Sequence, residues 1–290
     1  MTKYLISVLL LLTGCEGSDI IDSKRELKLT LNSSIEDTRS STSIKFIKFC
    51  ASNFCNFGTG VPSTSGDLLR AKVITGSHVL TLENIHNITI VTTPSGTITD
   101  FDIYAAGVPQ DSKHEDAMSY FYRQVHNLGS SGWHRYIYPD EARISGSQAS
   151  KFASKDEVLG NAVSTGPWND PGLQLSKTEW NALPVISTWM FHNGDQYLYL
   201  RVQRENNSDS PQDRGSYLFT MTFKSESEFY EEFIENESRE QWKELLPDEL
   251  NRMAQVRKST ETQLKKMGIE IDERYENPKI SALTNGRNRS

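Results

Sequence analysis

The sequence predicts an α+β fold with two lobes, each an antiparallel sheet with packed helices. Apolar and polar residues alternate at 98–105, which predicts a strand with one buried face. Residues 185–192 and 196–204 are strand-like and flank Asn-Gly at 193–194, a dipeptide that favours a β-hairpin because both residues tolerate positive φ. Strands and helices do not alternate regularly, so no parallel nucleotide-binding sheet is predicted.

Three predicted helices begin at a serine that is followed three positions later by a glutamate, the pattern of a capping box. The pairs are Ser112 with Glu115, Ser176 with Glu179, and Ser225 with Glu228. The first helix carries an apolar stripe at Ala117, Phe121, Val125 and Leu128. Pro247 interrupts the last helical pattern, and a charged helix with few apolar positions is predicted after it. These patterns predict helices that pack on the sheets by one side.

The N-terminus has the layout of an export signal. Lys3 precedes an apolar run at 5–12, which as a helix spans about 12 Å and is too short to cross a bilayer. This order is typical of a secretory signal. The tetrapeptide LTGC, residues 12–15, resembles the lipobox of bacterial lipoproteins. The resemblance implies cleavage before Cys15, its acylation and a membrane anchor there, and Glu16 favours the outer membrane over the inner membrane.

With Cys15 assigned to lipid, Cys50 and Cys55 are the remaining cysteines. An exported chain matures in an oxidising compartment, so we predict a disulfide between them. A metal site is the alternative, but two thiols without a nearby histidine offer too few ligands for zinc. We therefore expect no metal and no cofactor.

The chain is acidic, with a formal charge of −7 at pH 7. Removal of the signal, whose one charged residue is Lys3, makes the mature chain one unit more negative. Nucleic-acid binding depends on neutralising phosphates, so such a surface disfavours it. An acidic surface is compatible with capture of a basic protein partner.

Changes in composition divide the chain into six predicted segments. They are a signal peptide (1–14), a lipidated cysteine and tether (15–43), an N-terminal α+β lobe (44–150), a linker (151–172), a C-terminal α+β lobe (173–275) and a disordered tail (276–290). The tether is rich in Ser, Thr, Asp and Lys, with one short strand predicted at 27–31, and the linker is rich in Gly and Pro and poor in large apolar side chains.

Motifs of common enzymes are absent from the sequence: there is no Gly-x-Ser-x-Gly, Walker loop, His-Glu-x-x-His or Rossmann glycine fingerprint. Two residue pairs are weaker candidates. Asp100 and Asp102 share one strand face about 7 Å apart and could act as acid and base on a glycosidic bond. His126 and His134 flank a glycine-containing turn and could converge on a metal. Such pairs are more common as ordinary surface residues, so we predict no catalytic residue.

Residues for partner binding are predicted on one strand and one loop. Tyr197 and Tyr199 lie opposite the apolar face of their strand, and tyrosine is favoured as an interface anchor. Residues 205–215 form a polar loop, and loops held by a rigid scaffold commonly carry binding residues. The loop candidates are Asp209, Asp213 and Arg214.

Two segments resemble a known family. GWHRYIYPDEARISG after a predicted helix, and YLYLRVQRE with GSYLFTMTF before a final acidic helix, resemble lipoprotein immunity proteins of type VI secretion systems, specifically those that neutralise phospholipase effectors. The similarity covers about residues 40–245. It implies a non-enzymatic, periplasm-facing protein, anchored at Cys15, that binds a lipase-like toxin from a sister cell and blocks its active site or its access to membrane.

Two other functions stay open. A structural or assembly lipoprotein of the cell envelope would use the same anchor. An envelope hydrolase would use Asp100 and Asp102, or His126 and His134, and the absence of a catalytic motif disfavours it. The predicted location is therefore the main argument for a binding function.

Overall fold

The structure, a computed structural model, describes residues 25–284 of the chain. This part contains one 11-stranded sheet, a separate two-stranded sheet and several helices, so the α+β class is confirmed. The predicted signal peptide, Cys15 and the last residues of the tail lie outside the described residues.

The strands are β1 (Glu26–Leu29), β2 (Ile47–Cys50), β3 (Cys55–Gly60), β4 (Leu69–Thr75), β5 (His78–Thr92), β6 (Ile98–Ala105), β7 (Ser112–Lys113), β8 (His134–Arg135), β9 (Glu157–Val158), β10 (Asn161–Ala162), β11 (Ile186–Asn193), β12 (Gln196–Asn206) and β13 (Arg214–Ser225). The α-helices are α1 (Ile35–Ser40), α2 (His114–Ser130), α3 (Lys177–Ala182), α4 (Glu226–Glu231), α5 (Trp242–Lys266) and α6 (Ser281–Thr284). Short 3₁₀ helices cover Gly146–Lys151, Pro167–Asn169 and Asn236–Gln241.

The main path of the large sheet runs β1-β4-β5-β6-β13-β12-β11-β8. In addition β3 pairs with β5, β2 pairs with β3, and β7 pairs with β13. Only β1 and β4 pair in parallel among the described strands. Strand β6 pairs with β13 from Ala105–Phe219 to Asp100–Lys224. The two predicted lobes therefore share one sheet, where the sequence predicted a sheet for each.

The first face of the sheet forms the main core together with α2. Ala117, Phe121 and Leu128 of this helix are buried, as its apolar stripe predicts. The ring centroid of Phe121 lies 5.4 Å from that of Trp180 and 4.3 Å from that of Trp189. Full burial of one such large apolar side chain stabilises the fold by roughly 1.5–3 kcal/mol, so this cluster anchors α2 firmly on the sheet.

Two of the three predicted helix starts are confirmed. Ser176 caps α3 in a reciprocal capping box, and the side chain of Ser225 accepts a hydrogen bond from the backbone N–H of Glu228 at the start of α4. The prediction for α2 is wrong, because Ser112 belongs to β7 and its hydroxyl donates to the carbonyl of Pro109 (2.6 Å). Pairing of β7 with β13 takes the serine out of the capping position.

The second face of the sheet is covered at one end by α4 and α5. The ring of Phe229 stacks on that of Tyr197 with centroids 3.9 Å apart. Leu246 of α5 and Met190 of β11 are buried in the same cluster. Pro247 lies inside α5, not between two helices as the sequence suggested. This arrangement leaves the middle of the second face uncovered by the described helices.

Residues 26–40 belong to the folded body, although the sequence assigns 15–43 to a tether. Leu27 and Leu29 on β1 are fully buried. The hydroxyl of Thr38 on α1 donates to a backbone carbonyl of β1 (2.9 Å). The strand predicted at 27–31 is therefore present as β1, and its leucines belong to the core.

The predicted linker at 151–172 is a packed segment. Asp170 forms a 2.8 Å ion pair with Arg135, and Trp168 is buried. The carboxylate of Glu141 accepts hydrogen bonds from two consecutive backbone N–H groups of the segment (2.7 Å each). Regular structure in this segment is limited to the two-residue strands β9 and β10 and short 3₁₀ helices, so ion pairs, side-chain hydrogen bonds and the buried Trp168 hold most of it.

Part of the predicted disordered tail, 276–290, also packs on the body. The carboxylate of Glu226 accepts hydrogen bonds from the backbone N–H groups of Ser281 and Ala282 (2.8 Å each). These contacts dock the start of α6 onto α4. The carboxylate of Glu226 holds the segment together with Ile280, Ala282 and Leu283, which pack on the same cluster as Phe229.

The disulfide between Cys50 and Cys55 is confirmed. The two cysteines face each other across the β2–β3 pair, next to the turn that joins these strands. The bond therefore closes the β2–β3 hairpin at the edge of the sheet.

We expect Arg135→Met to lower the free energy of unfolding by about 3–5 kcal/mol, since it leaves the largely buried carboxylate of Asp170 without its cation. The guanidinium of Arg135 also donates to three backbone carbonyls, which would lose their donor. Urea denaturation measures the change. The control is Arg252→Met. Arg252 lies on the exposed side of α5, and its ion pair with Glu249 is at the surface. Equal effects of the two substitutions would contradict the structural role of Arg135.

Candidate functional site

The uncovered part of the second face is an open groove with a volume of about 600 Å³. Its floor consists of β6, β13 and β12, three neighbouring strands. Directly paired residues of antiparallel strands point to the same side of a sheet, so these strands place one row of side chains side by side. The groove is lined by Asp100, Asp102, Tyr104, Tyr138, Tyr199, Arg201, Gln203, Leu218, Thr220, Thr222, Lys224 and Glu232.

Helix α4 determines where the groove ends. Tyr197 points to the same face as Tyr199 and was predicted to be exposed, but Phe229 covers it and it is fully buried. Tyr199 lies two residues further along β12, at the rim of the covered region. Its hydroxyl donates to the carboxylate of Glu232 (3.2 Å). Of the two predicted tyrosine anchors, only Tyr199 is available in the groove.

Among the carboxyl groups of the groove, Asp100 has the most strongly shifted pKa. Burial, and then the negative charge of Glu228, raise the pKa of Asp100 to about 6. Lys224 lies directly opposite Asp100 on β13, yet its ion pair is with Glu232. No ion pair to Asp100 exists within residues 25–284. Asp100 is thus a carboxyl held in the groove without a cation of its own.

Asp102 and Arg201 are the other charged groups on the floor. The carboxylate of Asp102 accepts a hydrogen bond from the hydroxyl of Thr222 (2.5 Å). Asp102 also raises the pKa of the neighbouring phenol of Tyr104, after the larger effect of burial. Arg201 is exposed on β12 and forms no hydrogen bond or ion pair with the described part of the chain. The groove therefore presents charges of both signs to the outside.

The groove brings together the two carboxyls that the sequence suggested as acid and base. Their separation of about 7 Å along the strand is within the range of inverting glycosidases. That mechanism, however, places the acid and the base on opposite sides of the sugar. Asp100 and Asp102 stand side by side on one strand, so both approach a ligand from the same side.

The two histidines suggested as metal ligands do not converge. His126 is exposed on α2, whereas His134 on β8 is paired directly with His192 of β11, and the ring centroids of the latter two are 6.0 Å apart. Burial, followed by the charge of His134, lowers the pKa of His192 to about 4. Within residues 25–284 no group of three or more His, Cys, Asp or Glu side chains is placed to hold a metal ion.

The predicted loop residues lie at the end of the β12–β13 hairpin, outside the groove lining. Asp213 forms a 2.7 Å ion pair with Lys177, and Arg214 forms a 3.3 Å ion pair with Asp111. Asp209 is exposed in the turn. Asp213 and Arg214 are therefore already paired within the chain, and Asp209 is isolated at the end of the hairpin. The structure does not bring any of the three together with Tyr199.

The residues that the sequence reasoning missed come from two neighbouring strands and one helix. Arg201, Thr222 and Lys224 belong to strands whose alternation was recognised, and their positions on the polar side of each strand were available as a signal. Glu232 follows α4 directly, and nothing in the sequence indicates that it reaches the sheet. Strand order, which sequence patterns do not contain, decides that these residues meet.

Comparison with known proteins does not assign this groove. No protein-family model, curated protein or solved structure matches the chain. Within residues 25–284, no helix has the length and apolar character to span a bilayer. Function must therefore be inferred from the sequence motifs and the groove.

We expect the stability difference between the wild type and Asp100→Asn to depend on pH. The raised pKa means that the native state favours the protonated carboxyl, so this stabilisation is complete below about pH 4 and is lost as the pH rises through about 6. The Asn variant should gain roughly 2–3 kcal/mol relative to the wild type from about pH 4 to about pH 8. Urea denaturation at both pH values tests this, and a constant difference would contradict it.

Proposed function

We propose that this chain is a periplasm-facing lipoprotein that binds and neutralises a toxic type VI secretion effector, a phospholipase, and that the groove is its contact surface. The lipobox-like LTGC at 12–15 supports the anchor, and the family resemblance of GWHRYIYPDEARISG and the β12–β13 sequence supports the class of target. The open groove supports a binding role. The chain contains no recognisable catalytic motif, and the inhibitor would act by covering the toxin.

The observation that carries this proposal is the state of the charges in the groove. Arg201 has no hydrogen-bonding or ionic partner in the described chain, and Asp100 has no ion pair although burial raises its pKa to about 6. Charges of this kind add little to the stability of the isolated fold. A partner that supplies a positive charge next to Asp100 would offset the cost of desolvating its carboxylate. The presence of both signs in the groove would make the binding specific for a complementary charge pattern.

The scaffold suits this role. The groove floor is a continuous antiparallel sheet, so its side chains are positioned before binding and little conformational entropy is lost on association. A lipid anchor at Cys15 would hold the protein at the membrane that a phospholipase attacks. Restriction to that surface raises the effective concentration of the inhibitor where it is needed.

The test is coexpression with the lipase-like toxin encoded beside the gene of this chain, directed to the periplasm. We expect the full chain to restore growth and to form a one-to-one complex with the toxin. Failure of both, or absence of such a toxin gene, would overturn the proposal. A growth or permeability defect after deletion of the chain in cells without toxin would favour the alternative, a structural or assembly lipoprotein of the envelope.

Arg201→Glu should weaken binding of the toxin by about tenfold or more, because like charges juxtaposed across an interface cost several kcal/mol. Isothermal titration with a catalytically inactive toxin measures the change. The matched control is Lys258→Glu, an equal change of charge on the exposed side of α5. If both variants bind as the wild type does, the groove is not the contact surface.

A further inference from the structure

The strongest feature outside the groove is an exposed apolar pair on β2. Ile47 is 82% exposed and Phe49 is 66% exposed, the two most exposed of the large hydrophobic side chains in the described chain. Strand β2 pairs only with β3, so its outer edge is unpaired within that part. The pair lies on the hairpin closed by the Cys50–Cys55 disulfide. Its position is therefore held firmly although nothing described covers it.

The strand register places this apolar pair on the same face as the groove. Each direct cross-strand pair shares a face, so the face can be followed from strand to strand. From the edge inward, the row that begins at Ile47 continues through Gly58, Thr89, Asp102, Thr222 and Tyr199. The row that begins at Phe49 continues through Asn56, Val91, Asp100 and Lys224.

The opposite side of β2 is turned toward the core side of the sheet, although Lys48 on that side is itself exposed. Lys48 is paired with Phe57, which is buried in the main core, and the ammonium group of Lys48 lies 5.3 Å from the centre of the Phe57 ring. Residues 47 and 49 alternate with Lys48 and so point away from that core. The second face of the sheet is thus continuous from the hairpin to the groove.

We infer that Ile47 and Phe49 are the apolar anchor of the same protein-binding surface as the groove, and that its partner is a protein with an apolar patch next to a basic group. Three strand spacings of about 4.8 Å separate β2 from β6, so the patch and the basic group on the partner would be about 14 Å apart. This inference rests on the proposed function and adds the chemistry of the partner surface.

Charge on the face favours a protein over a lipid surface. The groups between the hairpin and the groove floor are neutral, and the first charged ones are Asp100 and Asp102. Carboxyls at this position attract a basic group on a protein but repel the anionic headgroups of a bilayer. Aromatic side chains such as Phe49 are also enriched at protein–protein interfaces.

The experiment replaces both anchors, Ile47→Ser with Phe49→Ser, in the full chain. Binding of the inactive lipase-like toxin should weaken at least about tenfold, and equally at low and high salt, because the lost contact is apolar. The matched control replaces two exposed apolar residues elsewhere, Val256→Ser with Met267→Ser. Both variants should fold, since the replaced side chains are exposed, and thermal unfolding checks this.

The results distinguish failure of the proposed function from failure of the inference about β2. If the wild type does not bind the toxin, the proposed function fails. If the wild type binds and the double variant binds equally well, the hairpin is not part of the surface, and the inference alone is overturned. A second measurement tests membrane contact: binding of the Cys15→Ser chain, which lacks the anchor site, to vesicles of phosphatidylethanolamine and phosphatidylglycerol. Vesicle binding that depends on Ile47 and Phe49, with toxin binding unchanged, would overturn the inference in favour of membrane contact.

Discussion

Pairing between β6 and β13 is the contact on which the rest of the structure depends. It joins a strand of the N-terminal half to one near the C-terminus, and the hydrogen bond between Thr222 and Asp102 connects residues 120 positions apart. The groove has a floor only because of this junction, since its acidic side comes from β6 and its cationic groups from β12 and β13. Closing a loop of this size costs chain entropy before any contact is gained, so we expect the junction to form late in folding.

Buried arginines hold the segments that lack regular structure. Besides Arg135, the guanidinium of Arg204 donates to three carbonyls around the end of α3, and that of Arg257 donates to carbonyls before the 151–172 segment, among them that of Tyr138. A guanidinium offers five donors in a planar fork, so one side chain can satisfy several carbonyls. A buried carbonyl without a donor costs about 1–3 kcal/mol. Because Tyr138 lines the groove, the clamp by Arg257 also positions part of the site.

The packing of α4 on the second face of the sheet determines which charged side chains the groove presents. Helix α4 buries Tyr197 under Phe229, and the chain directly after it supplies Glu232, which takes Lys224 as its ion-pair partner. Asp100 is left without a cation by the same arrangement. A covering helix thus closes one end of the face and sets the charge pattern of the open part. The proposed binding role follows from this pattern together with the lipobox-like N-terminus, and the exposed β2 pair extends the surface to the sheet edge.

Local features of the fold could be predicted from the sequence because residues close together in the chain produce them. The hairpin at 193–194, the caps at Ser176 and Ser225, the alternation of β6 and the Cys50–Cys55 disulfide all depend on short separations along the chain. The sequence also determined which side of each strand is polar. Only the tertiary structure decided which polar sides meet, which of them α4 covers, and that Ile47 and Asp102 share one face. These outcomes depend on strand order and register, which arise from pairing between distant segments and leave no periodic signal in either segment alone.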